Sequence, residues 1–343
     1  MSKEKKKNII YVVVLIALMA LTFTLVFRNY DFDETMQIIR TAEKKWIVLG
    51  VLLNCCFLTI GAFNLKILLK TLGSKVSMIN ALKYFLVETY FCAVTPSASG
   101  GQPMEMLEMK RDGIALSKST VTLIVIAIAY KSVLIVYAAI MLILMGTGTI
   151  FSLGHLNWLF YLGIVTNVLA VVFMVLALFC GDVLRKALIG CLNLMNRIHK
   201  LKRYDKYLED INKMMSNYRE GAAYIFKHRK VFYTVMISTF IQRSCRFAVT
   251  YAVYRALGLS GYSLGWIVLV QAIVCVSSEM IPVPGAIGVS ESCYLAAAEK
   301  YFGKAYLVPS MVLSRGISFY GLLALSGIVV IIIQLTSVAK NRE

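Results

Sequence analysis

This 343-residue sequence lacks the histidine, cysteine and P-loop patterns that mark three common kinds of functional site. The three histidines are scattered and the eight cysteines have neither metal-binding nor redox spacing, so metal sites and histidine-based catalysis have no support. Neither a GxxxxGKS nor a GxxxxGKT run is present, which argues against a P-loop nucleotide site. We therefore expect no metal, no cofactor and no coupling to ATP hydrolysis.

Acidic residues are also scarce, with 18 of them against 36 basic residues. The chain is nevertheless 59% hydrophobic, with a mean hydropathy of +0.73, which is typical of a membrane protein with several spans. The basic residues lie between and beside the apolar runs, as in cytoplasmic loops that face anionic lipid. We predict a multi-pass protein of the plasma membrane, and no nucleic-acid partner.

The apolar runs predict an all-α polytopic membrane protein with about six full transmembrane helices, and residues 1–343 form a single domain. The predicted spans are residues 9–27, 46–69, 120–145, 158–180, 231–257 and 309–335. Basic residues at both chain ends place both termini in the cytoplasm by the positive-inside rule. Residues 181–230 hold twelve basic and five acidic residues, with leucines at helical spacing, and predict a basic cytoplasmic amphipathic segment.

Proline is rare too, and four of the five prolines lie in two helix-breaking runs. The breaks contain eight candidate tip residues, namely Pro96, Gly100, Gly101 and Pro103 in the first and Pro282, Pro284, Gly285 and Gly288 in the second. Broken backbone is tolerated in a bilayer only where protein buries it or a wet cavity meets it. Each run is therefore either a surface loop or the tip of a re-entrant hairpin. Basic residues on both sides of the first run favour a hairpin that opens to the cytoplasm. The second run predicts a hairpin that opens to the outside, and two oppositely oriented hairpins are typical of an inverted-repeat transporter.

Eight charged residues lie within or beside the apolar segments, where a central charge costs about 2.5–3.5 kcal/mol. They are Glu88, Glu105, Lys131, Arg243, Arg246, Glu279, Glu291 and Arg315. Arginines suit a lipid phosphate and carboxylates suit a cationic headgroup, so both signs together match a zwitterionic or aminoacylated phospholipid. A structural ion pair of Arg243 or Arg246 with Glu88 or Glu279 remains the alternative to substrate contact.

The two breaks also resemble a known family. Residues 95–103 with 110–114 resemble the first signature of the lysylphosphatidylglycerol synthase transmembrane (flippase-like) family, and residues 281–291 resemble its second. Ser314, Arg315, Tyr320 and Gly327 are similar to the pattern of its last helix. Ala286 departs from the family pattern, in which a further glycine is common.

The resemblance implies a flippase that moves a phospholipid, such as lysyl-phosphatidylglycerol, between leaflets, a movement linked in larger members to resistance against cationic antimicrobial peptides. Those members carry a soluble aminoacyl-transferase domain, which we expect to be absent because the chain stops just after its last predicted span. Two alternatives stay open, a membrane-embedded lipid-modifying transferase and a scaffold that recruits a separate lipid synthase. The expected partners are a membrane phospholipid, such a synthase, and a further copy of the chain.

Overall fold

The computed structural model describes residues 32–146, 153–179, 228–279 and 281–340, together with isolated positions between 181 and 227. Every regular element within these residues is helical, which confirms the predicted all-α class. The predicted first span at residues 9–27 and the two termini lie outside the described residues. Most of the predicted amphipathic segment at 181–230 also lies outside them.

The helices are numbered here in chain order over the described residues. They are α1 (Phe32–Thr41), α2 (Lys44–Thr71), α3 (Met78–Val94), α4 (Gly101–Arg111), α5 (Leu116–Gly146), α6 (Asn157–Phe179), α7 (Arg229–Ala256), α8 (Leu264–Ser278), α9 (Val289–Arg315) and α10 (Gly321–Lys340). Short 3₁₀ turns occupy Pro96–Ala98, Gly154–Leu156 and Pro284–Ala286, and a π-helical turn at Gly316–Tyr320 joins α9 to α10.

Four apolar helical stretches of the described chain are long enough to cross a membrane. They are Lys44–Thr71, Leu116–Met145, Gly154–Leu176 and Pro284–Leu335. Helix α7 has the length for a crossing, at 28 residues, but several arginines interrupt its apolar surface. Length and composition thus agree with a helical membrane protein. The four stretches overlap four of the six predicted spans.

The last of these stretches is not one straight helix, because the chain reverses at Gly303. Glu291 and Arg315 lie near opposite ends of α9, which would be roughly 40 Å long as a straight 27-residue helix. Their side chains nevertheless meet, at 2.8 Å between Glu291 Oε1 and Arg315 Nη2. Gly303 has φ 68° and ψ 163°, a conformation that is essentially restricted to glycine. The reversal creates a helical pair from residues on either side of Gly303, a position at which the sequence had not predicted a break.

Helices α2 and α7 pack side by side, and buried amides set their register. Gln242 Nε2 on α7 donates to the backbone carbonyl of Phe57 on α2 at 3.1 Å. One helical turn or so away, Asn64 Nδ2 donates to Thr239 Oγ1 at 3.1 Å. A buried amide without a partner costs about 1–3 kcal/mol, so these bonds specify one alignment of the two helices. That alignment places the next residue of α7, Arg243, beside α2.

Helices α3 and α4 pack together, and charged residues link the start of α3 to the end of α4. Lys83 Nζ lies 2.7 Å from Asp112 Oδ2 and 3.3 Å from Glu108 Oε1, and Tyr84 donates to Asp112 at 2.6 Å. Burial raises the pKa of Asp112, but the hydrogen bonds from Lys83 and Tyr84 and the Lys83 charge outweigh burial and hold that pKa below its usual value. These ion pairs and the Tyr84 hydrogen bond hold α4 against α3 at the end of the helix pair away from the first break.

Candidate functional site

The two helix breaks have the same backbone conformation. Each is a 3₁₀ turn that starts with proline after an extended residue. The second residue has φ 50° and ψ 29° at Ser97 and φ 59° and ψ 13° at Gly285. The third residue is an alanine with positive φ in both turns, 54° at Ala98 and 51° at Ala286. Two runs that the sequence related by proline, glycine and a following glutamate thus share their backbone conformation over the three residues of the turn.

The first break is shorter than the predicted tip, because Gly101 and Pro103 already belong to α4. Proline is tolerated there because the N–H groups of the first helical turn have no intrahelical partner. Gly101 has another role, since a Cβ atom at this position would lie 2.2 Å from Cys92 Sγ and 3.1 Å from the Glu88 carbonyl oxygen. Glycine therefore lets α4 approach α3 closely directly after the turn.

The two breaks touch each other, although residues 96–99 of the first are exposed. A Cβ atom on Gly285 would lie 3.3 Å from the carbonyl oxygen of Ala93, which is three positions before Pro96, the first residue of the first turn. Apolar residues that follow or flank both breaks form one buried cluster with the last helices. Its buried members are Val87, Phe91, Ala93, Val94, Ile287, Phe319 and Val330.

Four of the eight predicted site residues form two ion pairs around the second break. Lys131 Nζ on α5 lies 2.7 Å from Oε1 of Glu279, which follows α8. Arg315 Nη2 lies 2.8 Å from Glu291 Oε1, and the other oxygen of Glu291 accepts hydrogen bonds from the Gly288 N–H at 2.7 Å and from the Ser290 hydroxyl at 2.9 Å. Both pairs are largely buried, so each charge is balanced within the protein.

The two arginines of α7 are held by aromatic rings instead of carboxylates. The Arg243 guanidinium carbon lies 3.7 Å from the centre of the Tyr130 ring, and that of Arg246 lies 4.8 Å from the Phe57 ring centre. No described carboxylate lies within 4.0 Å of either guanidinium, and Nε of Arg243 is buried without a described hydrogen-bond partner. Stacking leaves the N–H edge of a guanidinium free to bind an anion.

The two remaining acids are Glu88 on α3 and Glu105 on α4. Electrostatic interactions join Glu88 to Arg243 and Glu105 to Glu88. Cys92 interacts electrostatically with both acids, with Glu279 and with Arg243. Arg246 likewise interacts with Arg243 and Arg315. Two ion pairs and these longer-range electrostatic interactions thus link the eight predicted residues, which we call the polar cluster.

Sequence reasoning missed the aromatic residues of the cluster. Phe57, Tyr130 and Phe319 lie in apolar helices, where an aromatic residue is read as ordinary core. Only Tyr130 had a local signal, because it immediately precedes Lys131 in an otherwise apolar run. Asn54 was missed as well, and its amide donates at 2.8 Å to the Ile317 carbonyl within the π-helical turn.

Comparison with known proteins decides the family. The family model for the transmembrane region of lysylphosphatidylglycerol synthase matches residues 8–326 of this chain. The chain belongs to this family. The match covers both breaks and all eight charged residues, so the resemblance that the two signatures indicated is confirmed.

Two relatives of this family member are archaeal proteins. A UPF0104 membrane protein of Archaeoglobus fulgidus is 23% identical over 268 residues, which cover 78% of this chain and 80% of that protein. A UPF0104 membrane protein of Pyrococcus horikoshii is 25% identical over 324 residues, which cover 91% of each protein. Both names describe membrane proteins and state no activity.

The alanine in the second break predicts a stabilising substitution in this family member. Ala286 has φ 51°, and a non-glycine residue in the left-handed region is disfavoured by roughly 1–2 kcal/mol. Glycine loses more backbone entropy on folding, which offsets part of that gain. We expect Ala286→Gly to raise the free energy of unfolding by about 0.5–1 kcal/mol, measured by denaturant unfolding in detergent micelles. A decrease would show that the alanine methyl group packs usefully in the turn.

Proposed function

We propose that this protein moves a phospholipid between the two leaflets of the membrane. The observation that carries the proposal is the pair of arginines, Arg243 and Arg246, which lie beside a buried polar cluster without a carboxylate within 4.0 Å among the described residues. Two guanidiniums three positions apart share one helix face and together suit the oxygens of a phosphate. The family name supplies lysyl-phosphatidylglycerol as the candidate substrate.

The same proposal gives the two breaks a role. We propose that both are the tips of re-entrant helical hairpins that enter from opposite sides, as in an inverted-repeat transporter with about six crossings. The matched turn conformations and the contact between the breaks support this arrangement. In this arrangement both termini are cytoplasmic and the substrate headgroup passes between the tips. Contacts with the two arginine side chains would replace the hydration water of the headgroup, while the acyl chains stay in the lipid.

The acidic residues of the site favour one class of lipid headgroup. The Lys131–Glu279 and Arg315–Glu291 pairs are already neutralised, whereas Glu88 interacts electrostatically with Arg243 and has no ion-pair partner within 4.0 Å among the described residues. An aminoacylated headgroup has one anionic phosphate and at least one ammonium group, so it complements an arginine pair with a nearby carboxylate. The proposal therefore favours the lysylated lipid over phosphatidylglycerol itself.

Arg246→Ala is the variant that tests this function. In liposomes that contain fluorescent phosphatidylglycerol or its lysylated form, we expect the variant to move lipid at least about tenfold more slowly than the wild type, because one charge-assisted contact to phosphate is worth about 1.5–3 kcal/mol. Lipid movement is measured as accessibility of the fluorophore to an external quencher.

Arg255→Ala is the matched control for this variant. Arg255 lies on the same helix and also stacks on an aromatic ring, 5.3 Å from the centre of Trp46, but it is no part of the polar cluster. The control should retain wild-type transport. Equal loss in both variants, or no loss in either, would contradict the assignment of the arginine site. Absence of any transport by the wild type with either lipid would contradict the function.

A further inference from the structure

Glu105 has an environment in which a carboxylate is costly. Its side chain is 0% exposed, and neither carboxylate oxygen has a hydrogen-bond partner among the described residues. An ionised carboxylate held in that way carries a penalty of several kcal/mol, which is removed when the group takes up a proton. None of the roles assigned above to the arginines and ion pairs uses this residue.

A second acid, Glu88, lies where α3 approaches α4 closely, at the face of α4 that also carries Glu105. Gly101 is one turn before Glu105 and on the same helix face. A Cβ atom on Gly101 would lie 3.2 Å from Glu88 Cγ and 2.2 Å from Cys92 Sγ, so α3 presents Glu88 and Cys92 to this face of α4. The electrostatic interaction that Glu105 has with Glu88 is a repulsion between like charges when both groups are ionised. Such a pair holds a proton more readily than either acid alone.

The groups around the pair differ between its two members. Arg243 on α7 acts on Glu88 and on Cys92, and Glu279 after α8 acts on Cys92. Glu105 has no described cation within ion-pair distance. Glu88 is partly exposed whereas Glu105 is enclosed, so Glu88 is the member of the pair that solvent can reach.

From this geometry we infer that Glu88 and Glu105 form a proton-binding site that couples lipid movement to proton movement. The pair holds one proton while it is shielded from water. One of its two carboxylates takes up or releases that proton when water reaches the site. The ammonium or phosphate of a headgroup beside Arg243 and Glu88 changes the charge that the pair faces, and this links lipid binding to proton binding. The inference rests on the proposed function, because it names the ion that drives that transport.

Infrared spectroscopy detects the proton on the full-length protein independently of transport. Difference spectra between acidic and alkaline buffer should contain the carbonyl stretch of a protonated carboxylic acid, as expected of a buried acid that binds a proton. We expect this band to disappear in Glu105→Gln and to shift in Glu88→Gln. Glu108→Gln is the matched control, since Glu108 lies on the same helix but is paired with Lys83 and Arg111, and it should leave the band unchanged.

A pH gradient across liposomes then tests the coupling. A gradient should change wild-type movement of the fluorescent lysylated lipid at least threefold relative to equal pH, and Glu105→Gln should move lipid at one rate under both conditions. The absence of this difference band, or its persistence in Glu105→Gln, overturns the proton site. A titrating band with gradient-independent wild-type transport overturns the coupling. A titrating band in a wild type that moves no lipid supports the proton site and overturns the proposed function alone.

Discussion

Arg315→Met is expected to lower the free energy of unfolding by about 3 kcal/mol, because it leaves Glu291 as a buried carboxylate without its cation. Only 4% of the Glu291 side chain and 17% of the Arg315 side chain are exposed. The two hydrogen bonds that Glu291 accepts from Gly288 and Ser290 would remain, which keeps the effect at the lower end of the range for broken buried pairs. The measurement is denaturant unfolding of the full chain in detergent.

A double-mutant cycle with Glu291→Gln separates the ion pair from lost packing. The double variant Arg315→Met, Glu291→Gln should recover at least about 1 kcal/mol relative to the sum of the single variants, because neither charge is then left unpaired. Additive effects would mean that the pair contributes nothing as a pair. The exposed pair of Lys45 and Glu43, which has the same 2.7–2.8 Å separation, is the control, and Lys45→Ala should change stability by less than about 1 kcal/mol.

Gly285→Ala is expected to destabilise the protein by about 2–4 kcal/mol, the sum of two separate penalties. The first is the left-handed backbone, with φ 59°. The second is steric, because the added Cβ atom would lie 2.4 Å from Cζ of Phe319 and 3.3 Å from the Ala93 carbonyl oxygen. Phe319 is 8% exposed and lies below the Arg315 guanidinium, 4.2 Å from its carbon, so its ring has little room to move.

Gly258→Ala serves as the control because it carries the backbone penalty alone. Gly258 has φ 77°, and an added Cβ atom would meet nothing within 4 Å. We expect this variant to lose only about 1 kcal/mol in the same unfolding measurement. Equal losses at the two glycines would contradict the claim that close contact with Phe319 and Ala93 adds to the backbone penalty at position 285. Ala286→Gly, at the adjacent residue, should have the opposite sign.

Hydrophobic periodicity predicted much of this fold because it is a local property. Helices α2, α5, α6 and α7 begin and end within a few residues of the predicted spans, since each is an apolar run bounded by charge or by glycine. The breaks were predictable for the same reason, because proline and glycine act on the backbone where they stand. The error at Gly101 and Pro103 came from proline's compatibility with the first helical turn, which a composition-based reading does not distinguish from a break.

The partners of the charged residues were not predictable in the same way. All eight were selected because a charge within an apolar run is costly, and that cost is visible in the sequence. Which charges compensate each other depends on contacts between helices far apart in the chain. The sequence suggested Glu279 as a partner for the arginines of α7, yet it pairs with Lys131, and the arginines stack on Phe57 and Tyr130.

By itself the sequence determined the helical class, the positions of the two breaks and the set of charges that need an explanation. These depend on backbone preference and transfer free energy, which act residue by residue. Only the tertiary structure decided that the breaks share one conformation and touch, that Gly303 brings Arg315 to Glu291, and that Glu105 is enclosed beside Glu88. Those outcomes depend on which helix surfaces pack together, and the free energy of that packing belongs to the whole chain rather than to any segment of it.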